Sequence, residues 1–370
     1  HWLAEFYQII HDDGGFDVII GNPPYVEYNK KDKKTGKAIS DLYKIKDYKT
    51  ESCGNLYAFI LERCKYIACA KAYIGMIVPL SGHSTERMIP LVTNFYKKFG
   101  LRLHLNLSAD ANPQKLFEGV KFRLCIFFVT NNHKGCFSSK YTRWFAEERK
   151  NLFTSHIVFN DEHGYEYNGI IGKIPSKYFI SIVQKIQFQK PFFFMYSGQN
   201  ECLYHNAPVN WIRSHSFVPY FNSERDGEGI TTQLKHISFD TIKRVKIASC
   251  ILNSSLFFIW WITNSDCYHL NKPEISNFRY SETKQDGNDL ETIGEKLQKD
   301  MQKKSVRRVY NYKTTGRVEY DEFYMKLSKP IIDEIDKVLA KHYGFTEEEL
   351  DFIINYDIKY RMGEELKKED

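Results

Sequence analysis

Apolar runs and amphipathic stretches take turns along the first third of the chain. FDVIIG (16–21) and IGMIVPL (74–80) are short, nearly continuous apolar runs. RLHLNLS (102–108) alternates, and FRLCIFFVT (122–130) is again almost wholly apolar. Each predicts a strand, the last a central one. Between them, NLYAFILERCKYIACAKAY (55–73) and STERMIPLVTNFYKKF (84–99) place apolar residues at helical spacing and predict helices. Residues 1–15 read as a short helix or loop, and CFSSKYTRWF (136–145) offers a further strand. This rhythm predicts βαβ crossovers and a parallel sheet covered on both faces, closing near residue 155.

Beyond that point the pattern becomes irregular. Short mixed segments, many aromatics and turn signals such as RDGEG (225–229) predict an α+β domain over 165–325. The segment opening at EYDEFYMKLSKP is helical in pattern, so 326–370 is expected as a helical segment. Within it TEEE (346–349) is a capping box, with Thr346 as N-cap and Glu349 three positions on.

Charge sharpens this division. From Ile331 onward there are 12 acidic and 6 basic residues, against 34 acidic and 46 basic before it. A basic body with an acidic end suits a partner that is a polyanion. Eight lysines and three aspartates crowd NKKDKKTGKAISDLYKIKDYKT (29–50), which predicts a mobile surface loop. The eight cysteines form no CxxC pair, arguing against a zinc ribbon or a disulfide framework. Several lie in apolar runs and read as reduced core residues. The twelve histidines show no ligand spacing, so no metal is expected. No run of 18 apolar residues and no leader pattern at His1-Trp2 is present; no membrane contact and a cytoplasmic location are expected.

The candidate chemistry sits where FDVIIG runs into Asn22-Pro23-Pro24-Tyr25. Ligand groups gather at the carboxyl ends of strands in open α/β sheets. Each proline keeps the residue before it extended and donates no backbone hydrogen bond. The result is a rigid turn offering the Asn22 amide oxygen and the Pro23 carbonyl, with the Tyr25 ring beyond. Two fixed acceptors and an aromatic face suit a planar exocyclic amine. Accepting from both N–H groups draws the nitrogen toward tetrahedral geometry and frees its lone pair. Stacking on Tyr25 would hold its ring in line with an electrophile. Two prolines that merely end a strand are the plainer alternative.

FDVIIGNPPY resembles the catalytic motif of amino-methyltransferases that use S-adenosylmethionine. GNLYAFILERC, GMIVPLSGHS and KLFEGVKFRLCIFFV follow in an order similar to adenine-N6 DNA methyltransferases of type II restriction-modification systems, some of them bifunctional. APVNWIRSHSFVPYFNSERDGEGI, LNSSLFFIWW and DFIINYDIKYRMG resemble their target-recognition and terminal segments. The resemblance implies a partial Rossmann-like methyltransferase sheet in 1–155, a DNA target-recognition domain in 165–325 and the helical segment 326–370. It implies that Asn22 and the Pro23 carbonyl bind the target amine of a flipped-out adenine in double-stranded DNA, and that Tyr25 stacks on it. A second stacking face is expected from Phe117, with Phe122 as the alternative. Phe59 would lie near the cofactor, although the family has its phenylalanine three residues after the tyrosine and here Phe59 follows Tyr57 by two. Phosphate contacts are expected from Lys30, Lys31, Lys33 and Lys34. Base contacts are expected from Arg213 and Arg225, with Asn222 and Lys235 as further candidates.

The family's glycine-rich, cofactor-binding turn comes scores of residues before Asn-Pro-Pro-Tyr, and only 21 residues precede Asn22 here. The expectation is therefore a fragment lacking the N-terminal cofactor-binding half, inactive alone, with that half supplied by a longer chain or a partner subunit. Two other readings remain open: a protein glutamine-amide methyltransferase, which shares the motif, and a non-catalytic DNA-recognition fragment or subunit.

Overall fold

The computed structural model describes residues 2–109, 116–117, 120, 122–159 and 163–363. Lys115, Glu118, Gly119 and Lys121 of KLFEGVKFRLCIFFV, and residues 364–370 of the acidic end, lie outside them. The chain forms two compact units, 1–177 with 263–266, and 178–262 with 267–370.

The first unit carries a five-stranded sheet: β1 (Phe16–Gly21), β2 (Ala68–Pro79), β3 (Leu101–Leu107), β4 (Leu124–Thr130) and β5 (Gly135–Ser138), in the order β1-β2-β4-β3-β5. FRLCIFFVT supplies the central strand, as its apolar run predicts. The sheet is mixed rather than parallel. β1 pairs β2 and β3 pairs β5 in parallel, but β4 runs antiparallel to both β2 and β3. β4 lies between β2 and β3 and reverses the chain direction relative to both, where a crossover would have kept them parallel.

Two predicted helices differ. The helix beginning at 55 ends at Ile67, and ACAKAY becomes the first half of β2. Alanine favours helix locally, but Ala68 pairs with Phe16 and Tyr73 with both Val18 and Thr130; sheet pairing overrides propensity. The stretch 84–99 breaks into short turns around a single helix, Ile89–Asn94, with Pro90 in its first turn. Ahead of β1, Gly15 has φ +115° and a Cβ there would lie 2.7 Å from the Ala68 carbonyl carbon, so the chain can cross the start of β2 only as glycine.

The lysine segment has a local fold. The Tyr28 hydroxyl donates to the Tyr43 carbonyl (2.7 Å) and accepts from Ile45 N (2.9 Å). Asp32 accepts from Lys34 N and Thr35 N, forming a tight turn. The buried Glu62 carboxylate accepts from Lys49 N, Thr50 N and the Thr50 hydroxyl, closing the far end. Too few apolar residues to bury thus does not mean unstructured here, because polar side chains at both ends fix the backbone.

The second unit has a three-stranded sheet (Leu234–Phe239, Asn200–His205, Ser214–His215) and a four-stranded antiparallel sheet. The latter orders Gly227–Glu228, Phe221–Ser223, Gly316–Glu322 and Val306–Tyr312. EYDE, read as helical, is the end of the Gly316–Glu322 strand, and helices follow from Lys329. The capping box is formed: Thr346 Oγ1 accepts from Glu349 N and Glu349 Oε2 from Thr346 N. Three separated segments meet at Arg361, whose guanidinium lies 3.8 Å from the Trp211 ring centre and 4.5 Å from that of Phe258. Its Nε donates to the Asn210 carbonyl, and Trp211 Nε1 donates to the Arg361 carbonyl. Among the described residues there is no disulfide, no metal-binding group, and no single helix long and apolar enough to cross a membrane.

Candidate active site at the Asn-Pro-Pro-Tyr turn

β1 pairs in parallel with β2 up to Gly21 and Met76, which carries Asn22 beyond the sheet beside Ile77. β3 ends and β4 begins at the same edge, Leu107 opposite Leu124. Carboxyl ends of β1, β2 and β3 therefore meet the amino end of β4 around the turn, the edge where α/β sheets hold ligands. Asn22 and Pro24 are exposed, Pro23 is buried and Tyr25 is half-buried.

One hydroxyl organises the turn. Tyr25 Oη lies 2.7 Å from Asn22 Oδ1 and 2.8 Å from the Ile77 carbonyl oxygen. A phenol has one proton, so it serves one acceptor fully at a time. Burial pushes the phenol up to about 12, which keeps it a neutral donor near pH 7. The ring packs against the cluster of Leu107, Leu116, Leu124, Trp144 and Leu152. It meets Tyr57 edge-on at 6.4 Å and Phe122 at 5.8 Å.

The other predicted residues fall as follows. Phe122 (50% exposed) meets the Tyr25 ring edge-on, and Phe117 is likewise exposed (47%). Phe59 is buried, edge-on to Tyr28 and Tyr48. Lys30, Lys31, Lys33 and Lys34 are exposed, as are Lys37, Lys44, Lys46 and Lys49. In the second unit exposed Arg225 donates through Nε and Nη2 to Asp226, Asn222 is half-buried opposite Glu319, and Lys235 is exposed. Arg213 is half-buried, its guanidinium pushed down by burial with Glu322 acting against that shift. Sequence reasoning missed the Ile77 carbonyl, which any side chain could supply, and the contacts of Glu27, whose partner is 60 residues away.

Residues 1–117 match the family model described as Eco57I restriction-modification methylase. The type II restriction enzyme and methyltransferase RM.Eco57I of Escherichia coli is 25% identical over 144 residues, covering 38% of this chain and 14% of the relative. Among solved structures, the type IIL restriction-modification enzyme MmeI in complex with DNA has a TM-score of 0.47 at 11% identity, over 93% of this chain and 57% of that one. A nuclease-deletion mutant of the type ISP enzyme LlaGI with a DNA substrate mimic has 0.36 at 14%, over 56% and 18%. Both structural likenesses are too distant to bear on function. The resemblance to restriction-modification methyltransferases is borne out in sequence: over residues 1–117 this chain matches the Eco57I restriction-modification methylase family.

Proposed function

We propose that this chain carries the target-amine site and the recognition segment of a site-specific adenine-N6 DNA methyltransferase of a restriction-modification system. In this reading residues 1–155 are the carboxyl-terminal part of the catalytic domain, 165–325 recognise the DNA sequence and 326–370 close the chain. The observation that carries it is the exposed Asn22 carboxamide at the sheet edge, whose oxygen is capped by a hydroxyl that has a second acceptor in Ile77. The hydroxyl can turn wholly to Ile77 and leave Asn22 Oδ1 to an incoming amine without stranding a donor.

The flipped adenine would donate its two N6 hydrogens to Asn22 Oδ1 and the Pro23 carbonyl. That withdraws the nitrogen lone pair from the ring, and Tyr25 and one of Phe122 or Phe117 would hold the base flat. The exposed lysines at 30, 31, 33 and 34 would bind phosphate and so position the duplex. In the second unit Lys235 is exposed and suits direct contact with DNA, whereas Arg225 is paired with Asp226 and Arg213 is only partly exposed.

S-Adenosylmethionine is the methyl donor this family implies. The described residues do not fit it by themselves, because none forms a glycine-rich turn between a strand and a helix. Gly14 and Gly15 precede β1, and Gly15 is used for close approach to Ala68. We assign that half to preceding polypeptide or a partner subunit. In support, β1 is the last strand of its sheet and leaves Val18 (59%) and Ile20 (78%) exposed, an apolar edge of the kind proteins cover. Incubating the protein together with that half, labelled S-adenosylmethionine and unmethylated bacterial DNA tests the reading. N6-methyladenine in the digest supports it; label on protein glutamine would transfer the site to amide methylation.

A further inference from the structure

The two strands leaving the site are tied together by an ion pair that neither β-sheet register nor helix packing requires. After Tyr25 the chain runs antiparallel to the start of the Leu56–Ile67 helix: Leu56 N donates to the Val26 carbonyl and Tyr28 N to the Gly54 carbonyl, both at 2.9 Å. Glu27, between them, faces Asn55. Its Oε1 accepts from Arg87 Nη1 (3.1 Å) and Asn55 Nδ2 (3.2 Å), and its Oε2 from Arg87 Nη2 (2.5 Å). This is a two-pronged guanidinium–carboxylate pair, the geometry lysine cannot reproduce.

Gly54 is shaped for it. Its φ is +61°, and a Cβ there would lie 2.5 Å from Arg87 Nη2, so glycine serves both the left-handed turn and the guanidinium that rests on it. The neighbour of Arg87 on the same turn, Met88, accepts a hydrogen bond from the Tyr57 hydroxyl at 3.4 Å. Tyr57 in turn packs edge-on against Tyr25. The loop after β2 thus grips the Asn-Pro-Pro-Tyr turn twice, through Arg87 and Glu27 from outside and through Met88 and Tyr57 from within. Both charged side chains are part-exposed, and a pair of that kind contributes little to stability, on the order of 0–1 kcal/mol. A bidentate geometry with a third donor and a glycine fitted beneath it is more than such a pair needs.

We propose that Arg87 and Glu27 are positioning residues for the target-amine site: they fix the backbone two residues beyond Tyr25 and so set the placement of Asn22 and Tyr25. The activity part of this inference rests on the methyltransferase reading; the structural part does not.

The test uses Arg87→Lys, which keeps the charge and loses the fork, in the full chain. In 15N-labelled protein the Asn22 side-chain amide resonances are expected to shift, with thermal stability held within about 2 °C. In methyl transfer, with the cofactor half present, kcat is expected to fall about tenfold while KM for DNA stays within about twofold. Unmoved Asn22 resonances overturn the inference, and so does an unchanged kcat. If the wild-type protein transfers no methyl group to DNA, the functional reading fails, and the Asn22 resonances alone then decide whether the pair positions the turn.

Discussion

Removing the Tyr25 hydroxyl and removing the Asn22 carboxamide should cost the fold very different amounts, although the two groups touch. In Tyr25→Phe the ring keeps its place against Leu107, Leu124 and Trp144, so no cavity opens. What is lost is one hydrogen bond to the Ile77 carbonyl at 2.8 Å in a half-buried site. A typical net value is about 1 kcal/mol. In Asn22→Ala the exposed carboxamide goes, but the hydroxyl keeps the Ile77 carbonyl, so the expected cost is below about 0.5 kcal/mol, as for ordinary surface substitutions. The coupling in a double-mutant cycle should be equally small.

Native-state hydrogen exchange of the β2 and β4 amides measures this on the first unit alone. Tyr25→Phe should speed the most protected amides about fivefold, and Asn22→Ala less than about twofold. An Asn22→Ala cost equal to that of Tyr25→Phe, with strong coupling, would refute the reasoning. It would mean that the hydroxyl belongs to Asn22 and that the carboxamide is a structural strut rather than an acceptor held for a ligand.

Two other predictions concern charge. In the first unit His83 and His104 are wholly buried with ring centres 4.7 Å apart, beside Tyr96 and Asn106 and within the fields of Lys173 and Arg102. Burial pushes His104 down to about 3 and His83 well below its usual range. Imidazoles that stay neutral when folded but protonate near 6.5 when unfolded stabilise the fold above that pH, and the contribution is lost as pH falls below it. His104 should cost about 2 kcal/mol by pH 5, with His83 acting in the same direction, seen as accelerated exchange in β3; rates flat from pH 8 to 5 would contradict it. The second unit should respond less simply, because burial raises Asp336 to about 6, which favours the fold on acidification, while His205 and His215 oppose it. For the lysine segment, replacing Lys30, Lys31, Lys33 and Lys34 by glutamine should weaken DNA binding and flatten its salt dependence, by about 0.9 in logarithmic slope for each phosphate no longer neutralised. An unchanged slope would remove these residues from the interface.

The sequence made the strands of the first unit and the location of the turn legible because their signals are local: an apolar run stopped by Asn-Pro-Pro, another at FRLCIFFVT. It misled wherever distant partners decided the outcome. Ala68–Tyr73 has helical composition and became strand because β1 and β4 lie on either side of it. The lysine-rich loop has the composition of a mobile arm and is fixed by Tyr28, Asp32 and Glu62, three polar residues whose bonds no periodicity reveals. Asn22 and Tyr25 could be read as a site, because their chemistry is adjacent in sequence. Arg87 and Ile77 could not, since an arginine in an ordinary charged stretch and a backbone carbonyl carry no signal until the fold brings them to the turn. Phe117 is the expected second ring and Phe122 the alternative; that Phe122 meets Tyr25 edge-on is set by the fold and carries no signal in the sequence.

The central claim is that Asn22 accepts the target amine, and the most direct measurement is methyl transfer to DNA by Asn22→Ala beside the wild type, with the cofactor half present in both. The account predicts N6-methyladenine from the wild type, a loss of at least about 100-fold in transfer by the variant, and DNA affinity within about twofold. Transfer that survives in Asn22→Ala, or a wild type that binds DNA and cofactor yet leaves adenine unmodified, would contradict it.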